Sequence, residues 1–406
     1  MKCRFCSKEL IHSFLDLGYA PPSNAYLTSA DLSKPETYYP LRVKVCDGCW
    51  LVQTEDYAEA GELFDAEYAY FSSTSKGWLA HAAEYTRKIL DRLELSGDSF
   101  VVEVAANDGY LLKNFLSAGV PCIGIEPTAS TAAVAEKLGL EVIREFFSES
   151  LGAQMAERGQ RADLLIGNNV YAHVPDIKDF TRGIKQVLKK TGTVTLEFPH
   201  LLKLIEYGQF DTVYHEHFSY LSLATVASIF ESAGLRVYDV EELATHGGSL
   251  RIYGCHDVDP RTDAPAVEAL LNRERECRLQ CIETYLDFQE KAERIKNELL
   301  DFLLDAWRRG KRVVAYGAAA KGSTLLNFAG VKPDLIPFVC DAAPAKQGKF
   351  MPGSHIPILP PSELAQCDTD YILVLPWNIA DEVTSQLSAS QPAARFVTAV
   401  PHLEIR

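Results

Sequence analysis

Residues 99–115, SFVVEVAANDGYLLKNF, decide the fold of this chain. The β-branched run at 101–104 predicts a buried strand, and the residues after the loop Asn107-Asp108-Gly109 have the apolar 3–4 spacing of a helix. About 20 residues further on, VPCIGIEP predicts a second buried strand that ends at the acidic residue Glu126. Strand, tight loop, helix and strand with a terminal acid together predict the start of a doubly wound sheet that binds a nucleoside.

The loop does not have the glycine spacing of a dinucleotide site. AANDGY contains one glycine, whereas a G-x-G-x-x-G loop lets the backbone approach a pyrophosphate closely. A nucleoside ligand without phosphates, such as S-adenosylmethionine, tolerates polar side chains there. We therefore expect Glu126 to accept hydrogen bonds from the ribose hydroxyls. The candidate cofactor-binding residues are Glu103, Asn107, Asp108, Gly109, Glu126 and Asn168.

A further strand is predicted at 163–167, within RADLLIGNNVYAHVPD, and it opens into Asn168, Asn169 and His173. Ligand-binding residues gather at such carboxyl ends of parallel strands. Together these elements favour a methyltransferase-type sheet over a dehydrogenase. Before this sheet, an amphipathic helix is predicted from about Gly77.

Two cysteine pairs near the N-terminus indicate a metal site. CRFC and CDGC form CxxC…CxxC with 39 residues between the pairs, and two such turns complete a tetrahedral thiolate shell. The alternatives are four unrelated free thiols or a redox motif, but a redox CxxC follows a strand and does not come in pairs. The expected ligands of a structural zinc ion are Cys3, Cys6, Cys46 and Cys49. The remaining six cysteines are predicted to be reduced core residues.

The C-terminal third predicts a second, smaller doubly wound unit. KRVVAYGAAAKGSTLLNF is again strand, small-residue loop and helix, and the next strand, DLIPFVCD, ends at Asp341. Lys321 at the helix entrance makes an anion site, although a purely architectural loop is equally open. Residues 265–310 predict one or two charged spacer helices.

Length, charge and hydropathy limit the functional classes. A chain of 406 residues predicts two or three domains, and the net charge of −15 argues against broad nucleic-acid binding. We find no signal-peptide h-region and no apolar run long enough to cross a membrane, so a cytoplasmic protein is expected. We also expect it to be a monomer. The predicted domains are a zinc-binding domain (1–75), an S-adenosylmethionine-binding domain (76–260) and a helical linker with a Rossmann-like domain (261–406).

Residues 211–220, DTVYHEHFSY, crowd together side chains that bind metals and move protons. One interpretation is a metal site at His215, Glu216 and His217, but the region continues into a helix and no barrel strand with a further histidine follows. The others are a structural role, favoured for His215, and acid–base chemistry, favoured for His217.

The chain resembles the S-adenosylmethionine-dependent nucleotide-sugar C-methyltransferases, which include the sugar C-3 methyltransferases with an N-terminal zinc-binding domain. The similarity spans nearly the whole chain. It lies in EVAANDGYLL, NNVYAHVPD, EFPHLLKLIEYGQFDTVYHEHFSYLSL, HGGSLRIY and YGAAAKGSTLLNF. Members often have a small polar residue where this chain has Ala105 or Ala106, which leaves the function undisturbed.

This resemblance implies methylation of a carbon beside the ketone of a 4-keto nucleotide-linked deoxysugar. Such a carbon attacks only after losing its proton, so the enzyme needs a base and a donor to the developing oxyanion. His217 is implied as the base. The other residues implied at the reacting centre are Tyr214, Glu216, His173 and Tyr68.

Three residues are candidates for binding the rest of the substrate. Lys321 would hold the pyrophosphate or nucleotide, and Ser249 and Arg251 would meet a phosphate or a sugar hydroxyl, although THGGSLRIYG also fits a hairpin turn with a surface arginine. The alternative function is a non-methylating oxidoreductase or a nucleotide-sugar-binding protein on the same scaffold.

Overall fold

The structure is a computed structural model that describes residues 1–57, 71–389, 391 and 393–406. Within these residues the strands form a four-stranded, a seven-stranded and a six-stranded sheet. In the described part of the chain, no helix is long and apolar enough to cross a membrane. The fold is α/β, with a small N-terminal unit that carries the two cysteine pairs, a central doubly wound sheet and a second, smaller Rossmann-like sheet, as the sequence predicts.

The N-terminal unit is an antiparallel sheet beside the cysteine pairs. Its first three strands are β1 (His12–Ala20), β2 (Tyr39–Val45) and β3 (Val52–Thr54). In β2, buried side chains alternate with partly exposed ones, as expected when one face of a sheet packs against a core. The fourth strand comes from far along the sequence and pairs with β3.

The central unit is a doubly wound sheet with the order β10-β11-β8-β7-β4-β5-β6. Strand β11 is antiparallel to its neighbours β8 and β10, and the other pairings are parallel. The elements in chain order are α1 (Lys76–Leu93), β4 (Val101–Val104), α2 (Leu112–Ser117), β5 (Cys122–Ile125), α3 (Ala129–Lys137), β6 (Glu141–Ile143), α4 (Glu149–Glu157), β7 (Ala162–Asn168), α5 (Ile177–Val187), β8 (Leu188–Pro199), α6 (Leu201–Tyr207), β9 (Ser219–Tyr220), α7 (Leu223–Ser232), β10 (Leu235–Leu243) and β11 (Ser249–His256). Strand β9 is the one that joins the N-terminal sheet.

The C-terminal unit follows three helices and has the strand order β14-β13-β12-β15-β16-β17. Its pairings are parallel except for the edge strand β17. The elements are α8 (Pro265–Glu276), α9 (Glu283–Leu286), α10 (Phe288–Arg308), β12 (Val313–Tyr316), α11 (Ala320–Ala329), β13 (Val339–Cys340), β14 (Ile358–Leu359), β15 (Tyr371–Val374), α12 (Ala380–Leu387), β16 (Arg395–Thr398) and β17 (Glu404–Ile405).

The three units share hydrophobic cores. One buried cluster joins Phe14 and Val43 of the N-terminal sheet to Leu299 of α10 and Val339 of the C-terminal sheet. Another joins Cys3 at the cysteine cluster to one face of the central sheet. Because buried apolar surface stabilises the fold at roughly 25 cal/mol per Å², these shared cores hold the units together.

Candidate active site

The crevice above β4 and β7 lies beyond the carboxyl ends of these neighbouring strands, where the chain crosses over in opposite directions. Strands β5 and β6 lie on one side of β4, and β7 and β8 lie on the other, so the loops after β4 and β7 separate. The loop after β4 requires its glycine, because Gly109 has a φ of +77° and a Cβ there would meet Leu140 Cδ1 at 2.5 Å. Asn107 also has a positive φ, +49°, which asparagine tolerates better than most residues.

Glu126, immediately after β5, holds this loop in place. Its Oε2 accepts a hydrogen bond from the Asn107 backbone N–H at 2.9 Å, and its Oε1 accepts one from the Thr128 N–H at 2.9 Å. Each carboxylate oxygen has a further lone pair, so two hydroxyls of a ribose can still be bound. The geometry therefore suits the expected role of Glu126.

Several buried polar atoms at the crevice have no hydrogen-bond partner among the described residues. They are both carboxylate oxygens of Glu103, Oδ1 of Asp108 and both amide atoms of Asn168. Burial and the nearby carboxylates of Glu126 and Asp108 raise the pKa of Glu103 well above its usual range. Buried polar atoms are normally satisfied, so this group fits a polar ligand that enters the crevice.

His217, within segment 211–220, lies in a cluster of rings. Its Nδ1 is 2.8 Å from the backbone carbonyl of Thr212, and its ring centroid is 4.6 Å from that of His173 and 3.9 Å from that of Tyr214. Burial lowers the pKa of His217 well below its usual range, and the neighbouring His173 adds to this effect. Burial lowers the pKa of His173 to about 4. Both imidazoles are therefore neutral at neutral pH.

The two residues before His217 point to different surroundings. Glu216 is 1% exposed, its Oε1 accepts from Asn24 Nδ2 at 3.2 Å, and its Oε2 has no partner within the described residues. Burial raises the pKa of Glu216 to about 7. His215 lies edge-on to Tyr39 with ring centroids 5.9 Å apart.

The C-terminal unit closes this region from the opposite side. The indole of Trp377 donates to Asp211 Oδ2 at 2.7 Å, and Thr324 Oγ1 donates to the carbonyl of Val213 at 2.8 Å. Lys321 Nζ donates to Asn378 Oδ1 at 2.7 Å and lies over the Trp377 ring. Burial raises the pKa of Asp211 to about 6 and lowers that of Lys321. The elements that follow β12 and β15 thus contact the segment that carries His217.

Ser249 and Arg251 already form hydrogen bonds within the protein. Ser249 Oγ donates to the carbonyl of Thr245 at 2.9 Å, inside the hairpin turn between β10 and β11. Arg251 is 3% exposed rather than at the surface, and its Nη2 donates to Glu197 Oε2 at 2.6 Å. A substrate contact by Arg251 would have to displace this buried ion pair. Both substrate-binding assignments stay predictions.

Sequence patterns do not identify several residues that the fold brings to this region. His246 has a φ of +55°, and its Nε2 is 3.0 Å from Asn169 Nδ2. His81 on α1 is 2.9 Å from Glu197 Oε2. Single histidines far apart in sequence have no spacing pattern that would mark them as site residues. Asp211, in contrast, could have been predicted, because it begins the segment DTVYHEHFSY.

The predicted site residues thus fall into two adjoining groups. The cofactor candidates surround the ends of β4, β5 and β7, and His217, His173 and Tyr214 pack together. Tyr68 lies outside the described residues.

The four N-terminal cysteines converge as predicted. Their Sγ atoms all lie within 4.8 Å of one another, with Cys3 and Cys49 3.5 Å apart and Cys6 and Cys46 3.4 Å apart. A tetrahedral zinc ion with Zn–S bonds of about 2.3 Å needs sulfurs about 3.8 Å apart, so the cluster fits zinc closely. Four thiolates leave no open position, which is typical of a structural site.

Three family models match consecutive parts of this chain. They are a zinc binding domain (residues 3–64), a methyltransferase domain (78–240) and a C-methyltransferase C-terminal domain (244–401). The C-methyltransferase NovU of Streptomyces niveus is 34% identical over 401 residues, which cover 98% of this chain and 95% of that protein.

Solved methyltransferase structures are more distant. An S-adenosylmethionine-dependent methyltransferase from Clostridium acetobutylicum is 10% identical with a TM-score of 0.35, covering 43% of this chain and 90% of that one. Magnesium protoporphyrin IX methyltransferase from Synechocystis, with bound S-adenosylmethionine, is 14% identical with a TM-score of 0.33, covering 44% and 81%.

Proposed function

This chain belongs to the C-methyltransferase family that joins a zinc-binding, a methyltransferase and a C-terminal domain, and on that premise we propose its substrate and mechanism. It is an S-adenosylmethionine-dependent C-methyltransferase. The proposed substrate is a 4-keto nucleotide-linked deoxysugar, methylated at C-3 beside the ketone. The crevice above β4 and β7, with its unpartnered polar atoms, is the proposed cofactor site.

The hydrogen bond of His217 carries the proposed mechanism. A backbone carbonyl only accepts, so the contact with Thr212 puts the imidazole proton on Nδ1 and the lone pair on Nε2. Its lowered pKa keeps the ring neutral at neutral pH, which is the form that accepts a proton. No described residue occupies Nε2 with a hydrogen bond.

Proton removal by His217 would generate the nucleophilic carbon. The C–H electron pair moves into the ketone to form an enolate, and the proton moves to Nε2. Glu216, whose pKa of about 7 leaves it partly protonated near neutral pH, is suited to donate a hydrogen bond to the sugar or the enolate oxygen. Tyr214 and His173 pack around the His217 ring and hold it in place. S-adenosylmethionine, when bound, supplies an electrophilic methyl group.

The C-terminal unit is the proposed holder of the nucleotide. Lys321 and the N-terminus of α11 follow the small-residue loop after β12, an arrangement that attracts anions. Lys321 lies over the ring of Trp377, whose indole donates to Asp211 in the same segment as His217. A pyrophosphate beside Lys321 would therefore place the attached sugar towards His217.

Substrate class is tested by mass spectrometry after incubating the enzyme with methyl-labelled S-adenosylmethionine. TDP-linked and GDP-linked 4-keto-6-deoxyhexoses are the candidates, and one of them should gain a single labelled methyl group on carbon. If neither is methylated while a nicotinamide cofactor copurifies with the protein, the oxidoreductase alternative replaces this proposal.

The base is tested by following the substrate's C-3 proton in deuterated water with S-adenosylhomocysteine present. The wild type should exchange this proton, and His217→Asn should lower the exchange rate by about 10²–10⁴-fold, the usual cost of losing a general base. The matched control is His215→Asn, the same change two positions away on a ring that faces Tyr39. Wild-type exchange by His217→Asn, with both ligands bound, would assign the base to another residue.

A further inference from the structure

The segment that carries His217 is part of the N-terminal sheet. Strand β9 pairs with β3, with Tyr220 opposite Val52 and Ser219 opposite Gln53. The next residue of β3, Thr54, donates from its hydroxyl to the His217 carbonyl at 3.1 Å and from its N–H to the Phe218 carbonyl at 3.2 Å. The backbone of His217 is therefore fixed by a strand of the zinc-binding unit.

Gln53 connects this strand to the cysteine cluster. Its side chain is 0% exposed, its Nε2 donates to Cys3 Sγ at 3.2 Å, and its Oε1 accepts from the Arg4 backbone N–H at 2.9 Å. A thiolate that binds zinc is a good acceptor for such a donor. Gln53 thus links the turn that carries Cys3 and Cys6 to strand β3.

Arg4 lies inside that turn, between Cys3 and Cys6. Its side chain reaches the two histidine loops, which are the loop that carries His173 and the loop that carries His217. Its guanidinium donates to the Thr54 carbonyl at 3.1 Å and to the Pro175 carbonyl at 2.9 Å, and it lies over the Phe218 ring at 5.4 Å. Pro175 follows His173 by two residues, and Phe218 is adjacent to His217. The same guanidinium is paired with Asp56 at 2.7 Å.

We propose that Arg4, together with Gln53 and Thr54, is a positioning residue that holds the His173–His217 pair and couples its geometry to the cysteine cluster. The zinc-binding unit then acts on the reaction, beyond stabilising its own fold. One planar guanidinium that donates to the Pro175 loop and to β3 sets the distance between the two histidine loops. This inference rests on the proposed role of His217 as the base.

Arg4→Met tests the coupling, because it keeps the apolar stem and removes the guanidinium. The matched control is Arg42→Met on β2, whose guanidinium pairs with Asp16 at the surface of the same unit. Ring-¹⁵N NMR of the ligand-free full-length protein reads the histidines without substrate, and His217→Asn assigns the His217 signals. In Arg4→Met the His217 signals should lose the single Nδ1–H tautomer, and in Arg42→Met they should match the wild type.

Zinc content and calorimetry with S-adenosylhomocysteine separate this effect from unfolding. We expect Arg4→Met to retain one zinc ion per chain and wild-type affinity for S-adenosylhomocysteine. Its substrate proton exchange should fall by about 10²-fold, the cost of a displaced reacting group, with kcat rather than KM reduced. Arg4→Lys should be impaired too, because a lysine cannot make the forked contacts.

A second substitution tests the same coupling at another residue, so that the inference stays testable even where an Arg4 variant misfolds. Thr54→Val removes the hydroxyl that donates to the His217 carbonyl at nearly constant volume, and Thr54→Ser restores it. We expect Thr54→Val to change the His217 signals and Thr54→Ser to recover them. Unchanged His217 signals in both Arg4→Met and Thr54→Val would overturn the inference. If the wild type exchanges no candidate sugar, the proposed function fails, while the NMR comparison still decides the coupling.

Discussion

Replacing Glu126 by alanine should weaken cofactor binding at least tenfold. The carboxylate is 5% exposed and already accepts two backbone N–H groups, from Asn107 and Thr128, at 2.9 Å each. A hydrogen bond to a charged group contributes about 1.5–3 kcal/mol, so losing one ribose contact corresponds to about 10–150-fold in Kd. Without the carboxylate, the two backbone N–H groups lose their acceptor, and the loop at Asn107 becomes less ordered. We therefore expect the increase in Kd to lie toward the upper end of this range.

Isothermal titration with S-adenosylmethionine measures this effect, and Glu141→Ala provides the matched control. Glu141 begins the neighbouring strand β6 and its side chain is exposed, so the same substitution should leave Kd unchanged. Glu126→Gln should bind weakly as well, because its amide group would face a backbone N–H in place of an acceptor. Wild-type affinity in Glu126→Ala would refute the assignment of the ribose to this crevice.

Two further predictions concern metal and pH. Metal analysis should find one zinc ion per chain, and Cys46→Ser should lose it and unfold the N-terminal sheet; protein purified without zinc and normally folded would contradict this. Burial raises the pKa of Asp211 from 3.8 to about 6, so the folded state binds the proton more tightly than the unfolded one, and stability is lost as pH rises through about 6. Asp211→Asn removes this loss, which is about 3 kcal/mol in full, so its urea midpoint should gain on the wild type as the pH rises from about 4 to 7 and the gain should then level off; a gain that shrinks with rising pH would oppose this account.

Much of the fold could be predicted because its signals are local. The strand predicted at 163–167 is observed at Ala162–Asn168, and the helix expected from about Gly77 is observed at Lys76–Leu93, where Ser75 caps it. The charged spacer predicted at 265–310 forms helices α8 to α10. Hydrophobic period and capping residues act over a few positions, so one sequence contains enough information for them.

The interactions that assemble the site could not be predicted, because they join distant positions. Thr54 and His217 are 163 residues apart, and Trp377 and Asp211 are 166 apart, with no pattern that marks either pair. Arg251 was open to interpretation as a surface residue, but the buried carboxylate of Glu197 draws it inside. An arginine buries its charge only where a partner is available, and the sequence does not show that partner.

Contacts from both terminal units to segment 211–220 have a consequence for building chimeras of this enzyme with its relatives. Trp377 and Thr324 bond to Asp211 and Val213 from one side, and Thr54 bonds to His217 from the other. Grafting a relative's C-terminal third alone would separate residues that fit one another across the junction. If the C-terminal unit holds the nucleotide as proposed, exchange of substrate preference should require transplanting that third together with residues 211–220 and the strand β3 that bonds to them.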